Sequence, residues 1–240
     1  MTSLKVDKRE LVNKTWEALS SMEALNSEYL EAFSRFTEAD NEYRIAKSQA
    51  TLSAEGKTAS IRAAKATLMA ARQMVERAKA KITLQRLDLQ KDTARLYYRV
   101  LSSVLAASGG EALLYPINDK IPDPVKEIEK AYNALVEADE ALAEAAESYI
   151  IKDVDYELKK AQKIAQGLPG KNEEERKAHL YSDPEIQKAK AELDEAKIQM
   201  EMASQNRQMA RDSLRFWLSY MRSLGLDEAG VDDPGMAVRR

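Results

Sequence analysis

Glu185-Ile186-Gln187-Lys188-Ala189-Lys190-Ala191-Glu192-Leu193 opens the most regular stretch of the chain. Its apolar residues continue every seven: Ile186, Leu193 and Met200, then Arg207, then Leu214 and Met221. A second position of the same pattern reads Ala189, Ala196, Ala203, Ala210, Trp217 and Leu224. A sustained seven-residue repeat commits a helix to a left-handed, supercoiled seam. Alanine at the second position lets a partner backbone come close, while the larger residues fill the layers between. Arg207 interrupts the stripe, which predicts either a wetter seam at that level or an acidic partner for its guanidinium.

The same design stands earlier in the chain, at Ile61, Leu68, Val75, Ile82, Leu89 and Leu96, with Ala64, Ala71 and Ala78 three residues after the first of these. The chain in fact contains itself twice. Tyr43, Lys47 and Gln49 recur as Tyr156, Lys160 and Gln162; Gly56-Lys57 with Arg62 recurs as Gly170-Lys171 with Arg176. A period this long is that of a duplicated small domain, not of a solenoid array.

Each patterned helix is preceded by another. Residues 8–52 hold no Gly or Pro and carry Leu11, Trp16, Leu19, Leu30, Phe33, Phe36 and Tyr43 as apolar positions. The connection Ser53-Ala54-Glu55-Gly56-Lys57-Thr58 offers Gly56 for a left-handed helix end and Thr58 as the next N-cap. In the second copy Gly167-Leu168-Pro169-Gly170-Lys171-Asn172 does the same; a short helix over about 173–180 follows. Ser182-Asp183-Pro184-Glu185 then restarts the chain, with Ser182 and Glu185 spaced as a capping box. At 1.5 Å per residue these long helices are rods of about 65 Å. The expected fold is all-α: two tandem αα-hairpins packed as an elongated, coiled-coil-like four-helix bundle. The expected boundaries are a first hairpin over 1–108, a linker over 109–124, a second hairpin over 125–224 and a flexible tail over 225–240.

Composition supports this class, since Ala, Glu, Lys, Leu and Arg abound while the 240 residues hold 8 Gly and 6 Pro. No run approaches the roughly 18 apolar residues of a membrane span, and the charged start Met1-Thr2-Ser3-Leu4-Lys5 is unlike a signal peptide. Without cysteine there is no disulfide, thiolate nucleophile or Cys-based zinc site. A reducing cytoplasmic location is the expectation. Net charge is −3 but unevenly placed. Residues 1–108 hold 18 Lys/Arg and 13 Asp/Glu, and residues 109–240 hold 19 and 27. The basic excess falls on residues 59–101, where Arg72, Arg77, Lys79, Arg86, Arg95 and Arg99 form a candidate polyanion face.

Chemistry is harder to find. Gly56-Lys57-Thr58 resembles the end of a P-loop, but the earlier glycine is replaced by Thr51 and no strand precedes it. Paired metals in a bundle need two Glu-x-x-His motifs, and the chain has the single His179. Glu175 shares its helix face, yet two ligands make no site. No catalytic, cofactor or metal residue is therefore assigned, and a non-enzyme is expected. The repeated Tyr43, Lys47, Lys57 and Arg62, with Tyr156, Lys160, Lys171 and Arg176, flank the hairpin tips. They either brace the turns or form a contact surface used twice.

The run Glu42-Tyr43-Arg44-Ile45-Ala46-Lys47, then Ala54-Glu55-Gly56-Lys57-Thr58 and Arg62, resembles small helical-hairpin proteins of tailed bacteriophages. Each copy here covers about one such protein, and the second departs from the motif at Leu168-Pro169-Gly170-Lys171-Asn172. The resemblance implies a phage setting, beside recombination or replication, and no catalytic residue. A tandem chain then reads as a covalently linked pseudo-dimer. The leading expectation is a phage-encoded interaction protein that binds a host or phage protein, inhibiting a host defence or nuclease. A DNA-associated accessory protein, disfavoured by the acidic second half, and a virion structural or assembly component are the alternatives.

Overall fold

The computed structural model describes residues 8–108 and 124–223. Six α-helices and no strand occur among them: α1 Lys8–Ser53, α2 Ala59–Met69, α3 Ala71–Ser108, α4 Pro124–Gln166, α5 Glu173–Ser182 and α6 Pro184–Ser223. The start at Met1, the linker over 109–123, Leu224 and the tail over 225–240 lie outside the described residues, as does the side chain of Met221. The chain is an all-α bundle, and none of the described helices is long and apolar enough to cross a membrane.

The α6 stripe is the seam that the sevenfold repeat predicts. Ile186, Ala189, Leu193, Ala196 and Leu214 are buried and Met200, Ala203, Arg207, Ala210 and Trp217 half-buried, while most intervening residues are exposed. On α1 the seam corrects the sequence reading. The covered positions are Leu11, Ala18, Leu25, Ala32, Ala39 and Ala46, with Thr15, Met22, Tyr29, Phe36, Tyr43 and Ala50. Trp16, Leu30 and Phe33 lie off this stripe and are exposed. Trp16, Leu30 and Phe33 thus marked the wrong face of α1, whereas Leu11, Phe36 and Tyr43 are covered as expected.

The first copy's second helix is not one helix. Ala70, at φ −93° and ψ 10°, separates α2 from α3, although its N–H still reaches the Ala66 carbonyl at 3.1 Å. No Gly or Pro marks the break. Ala66 and Ala70 are fully buried, and Ala66 clusters with Ala50 and Ala54 of the α1 end. Beyond the break Val75, Ile82, Leu89 and Leu96 stay half-buried, and full burial passes to Val100, Leu101 and Val104. A 3.6-residue helix drifts about 20° per heptad against a strict sevenfold stripe, which moves the buried face off the predicted register.

Two turns join the helices of each copy. Thr58 caps α2 by accepting from the Ile61 N–H at 3.3 Å. Asn172 caps α5, accepting from the Glu175 N–H at 2.8 Å while Glu175 accepts from the Lys171 N–H at 2.6 Å. Gly167 and Gly170 hold φ of 89° and 138°, the left-handed region. Gly56 does not, contrary to expectation. Its role is close approach, since a Cβ there would stand 2.8 Å from Ile61 Cγ2. The capping box at Ser182 is also corrected. Ser182 donates to the His179 carbonyl, and Asp183 caps α6 through the Glu185 and Ile186 N–H groups at 2.9 and 3.3 Å.

The chain divides into two compact units, one of Met1–Glu23, Asp92–Val136 and Met209–Arg240, the other of Ala24–Lys91 and Glu137–Gln208. Each takes segments from both sequence copies. In the first, Leu11 and Ala18 of α1, Val100, Leu101 and Val104 of α3, Ile128, Ala131 and Leu135 of α4, and Leu214 of α6 form one apolar cluster. Four helices converge there, as in a four-helix bundle. Lys14 bridges to Glu10 and Glu129, and Asp92 pairs with Arg211 at 3.2 Å. In the second unit, Tyr156, Leu180, Ile186, Ala189 and Leu193 form a separate cluster from α4, α5 and α6.

Tyr97 stacks on Tyr132 with ring centroids 3.8 Å apart in the first unit. Burial first, and the nearby Glu129 carboxylate second, push its hydroxyl from 10.0 up to about 12. The folded chain therefore holds this proton more tightly than the unfolded chain does. The stabilisation is complete below about pH 10 and is lost as pH rises through 12. Tyr97→Phe, which keeps the stacked ring, should flatten the fall in urea-unfolding stability across that window. An unchanged slope would remove Tyr97 as its source.

Candidate functional site

Both hairpin tips belong to the second unit, and they are braced by the same two devices. Arg62 donates from Nη1 to the Gly56 carbonyl at 3.0 Å, and Arg176 donates from Nε to the Gly170 carbonyl at 3.2 Å. Each arginine sits six residues after its glycine and ties the turn to the helix that follows. Lys47 stands over the Tyr43 ring at 5.5 Å, and Lys160 over the Tyr156 ring at 4.9 Å. Six of the eight repeated tip residues thus make internal contacts that recur in both copies. Lys57 and Lys171 are exposed at the turns.

The basic segment does not form one face. Arg72, Lys79 and Arg86 fall seven apart on one side of α3, whereas Arg77, Arg95 and Arg99 lie roughly half a turn round, at 3.6 residues per turn. Arg77 meets Asp40 at 2.5 Å and lies over the Tyr43 ring, Lys79 pairs with Glu76 at 3.0 Å, and Arg86 pairs with Glu147 at 3.2 Å. A cation already facing a carboxylate has less attraction left for a phosphate. Arg72 is exposed.

Of the two alternatives at Arg207, a wetter seam or an acidic partner, the structure shows the acidic partner. The Arg207 Nε donates to Asp139 Oδ1 at 2.6 Å, and the two side chains are only 12% and 5% exposed. Sequence could demand this partner but not choose it among forty acids.

Among the described residues no group of three or more His, Asp or Glu is placed to hold a metal ion. His179 is exposed in the last turn of α5, and Glu175 is engaged in the turn before it. The Asp153 carboxyl is pushed above its ordinary range by burial and by Glu157, with Lys81 and Lys160 opposing. No histidine or hydroxyl nucleophile accompanies it in these contacts, so it does not amount to an acid–base centre.

What the sequence did not single out is a cleft in the first unit. Val12, Trp16 and Leu19 of α1 face Tyr98, Leu105 and Ala106 of α3 across a space of about 380 Å³, with Thr15 and Ser102 completing the lining. Thr15 donates to the Leu11 carbonyl at 2.8 Å. The Ser102 hydroxyl is shielded from solvent and finds no hydrogen-bond partner among the described residues. Trp16, which lines the cleft, is 64% exposed; elsewhere Leu30 is 67%, Met209 65% and Phe216 60% exposed. Comparison with known proteins returned no matching family model, no matching curated protein and no matching solved structure.

Proposed function

We propose that this chain is a non-enzymatic helical interaction protein that binds another protein through the outer faces of its long helices. One observation carries the reading. The seams take alanine at many positions, yet Trp16, Leu30, Phe33, Met209 and Phe216 are held outward, where they contribute little to the fold. Large apolar side chains exposed side by side on one helix, as Leu30 and Phe33 are three residues apart on α1, suit a contact site, and aromatic residues and methionine are enriched in protein interfaces. The contact surface is accordingly assigned to helix flanks, while the tip residues serve mainly to brace the turns. The tip motif's resemblance to phage hairpin proteins supports a host or phage protein as partner, a host defence factor or nuclease among them. The DNA-accessory reading is weakened by the carboxylates paired with Arg77, Lys79 and Arg86.

The test is site-specific photo-cross-linking in bacterial cells, with benzoylphenylalanine placed at Leu30 or Met209 and, as a polar exposed reference, at Glu140. The expected result is a discrete adduct with one protein from the two apolar positions and none from Glu140. Equal labelling at all three positions, or none at any, would reject the assignment.

A further inference from the structure

We infer that the outer face of α6 pairs antiparallel with α6 of a second copy of this chain. α6 is one uninterrupted helix over Pro184–Ser223. On it Ile198, Met202, Gln205, Met209, Asp212 and Phe216 follow one another at alternating steps of four and three residues. That is the spacing of a coiled-coil seam. It stands about half a turn round the helix from the buried seam, at 3.6 residues per turn. Ile198, Met202, Met209 and Phe216 are each more than half exposed. Two copies paired along this line, with the residues beside it, cover on the order of 1,000 Å², the lower end for a specific interface.

The residues bordering the line identify the occupant. One border is Asp194, Glu201, Gln208 and Arg215, seven apart and all exposed. Its acids stand toward the helix N-terminus and its guanidinium toward the C-terminus. The other border, Gln199, Asn206, Ser213 and Tyr220, is uncharged. An antiparallel two-fold lays the charged border against itself, so Arg215 meets Glu201 of the second copy, twice, and Gln208 meets its own counterpart. A parallel pair sets the charged border against the uncharged one and forms no ion pair. Within one chain Glu201 reaches Lys197, and Arg215 reaches Asp212, at 3.8 Å. Exposed pairs of this kind contribute little, so both groups exchange them for the second copy's charge at small cost.

The same register places Phe216 on Ile198 of the second copy and Met209 on Gln205 of the second copy. Asp212, opposite Met202, is the unfavourable layer and keeps the association modest. Sliding the helices by one heptad, so that Arg215 meets Asp194, would set Glu195 against Asp212 of the second copy, and like charges in facing positions repel. The match needs no residue beyond those of α6, which is what a self-complementary two-fold interface requires.

The test uses the full chain, which has no cysteine of its own. Sedimentation equilibrium should show a monomer–dimer equilibrium. Met209→Glu should raise the dimer Kd at least about tenfold, because it places a charge inside the seam. The melt of the dilute monomer should not change, since Met209 is exposed. Arg215→Glu should weaken the dimer about fivefold, and Glu201→Arg combined with Arg215→Glu should return the parental Kd. Gln208→Cys should be joined to its counterpart by a short bismaleimide. Ile198→Cys should not, because the two copies of that position lie about 27 Å apart along the pair.

A chain that stays monomeric up to about 200 µM would overturn the inference and leave the line to a helix of another protein. Met209→Glu dimerising as the parent does would move the contact elsewhere, and Ile198→Cys joining as readily as Gln208→Cys would make the pair parallel; either result rejects it. So would Arg215→Glu without effect, or a double variant no tighter than Arg215→Glu alone. The inference is independent of the partner reading. With the pairing in place, Met209 cross-links to a second copy and Leu30 carries the partner reading. If the dimer forms while Leu30 captures no other protein, the pairing stands and the partner reading falls. If the chain is monomeric while Leu30 and Met209 still capture a protein, the partner reading stands and the pairing falls.

Discussion

Asp139→Ala is expected to lower unfolding free energy by about 3–5 kcal/mol, the range for removing one partner of a buried ion pair. Asp139 is buried, and its Oδ1 accepts from Arg207 Nε at 2.6 Å. Without the carboxylate, the guanidinium stays in the seam without its Asp139 partner. The carboxylate is what makes that position tolerable to arginine. Replacing both residues with leucine should restore stability to within about 1 kcal/mol of the parent or exceed it, because desolvation offsets most of the attraction within such pairs. Urea unfolding of the two single variants and the double variant completes the cycle. A shift below about 0.5 kcal/mol for Asp139→Ala, the level of ordinary surface substitutions, would mean that water reaches the pair.

Leu101→Ala should cost about 2–5 kcal/mol, through lost transfer energy and the cavity left behind. Leu101 is fully buried in the cluster where α1, α3, α4 and α6 all contribute side chains. Leu89, which the sevenfold stripe nominates with equal force, is half-buried. Leu89→Ala should therefore cost clearly less than Leu101→Ala. Equal losses in chemical denaturation would restore the strict sevenfold register and refute the drift described above.

Much of the fold was legible without coordinates because helix ends are local. Thr58, Asn172 and Asp183 cap their helices through side chains that reach only two or three residues ahead. The duplication was legible for a related reason. The Arg62 and Arg176 braces each span six residues, so the pattern Gly-Lys followed by Arg carries its own geometry. That Arg207 requires either a wetter seam or an acidic partner was also legible, since a charge in a dry seam must be compensated.

The candidate site was much less visible. Trp16 and Leu19 looked like core residues of α1, and Arg95 and Arg99 looked like part of a polyanion stripe. The place of Trp16 and Leu19 beside a cleft depends on Tyr98, Ser102 and Leu105, roughly eighty residues away in sequence. Sequence by itself determined that this protein is helical, duplicated and turned at its Gly-Lys tips, because backbone bonding and capping act within a few residues. Only the tertiary structure decided which face of α1 is inside, which acid answers Arg207 and where the cleft lies. Burial belongs to pairs of helices, and nothing within one helix says which neighbour will cover it.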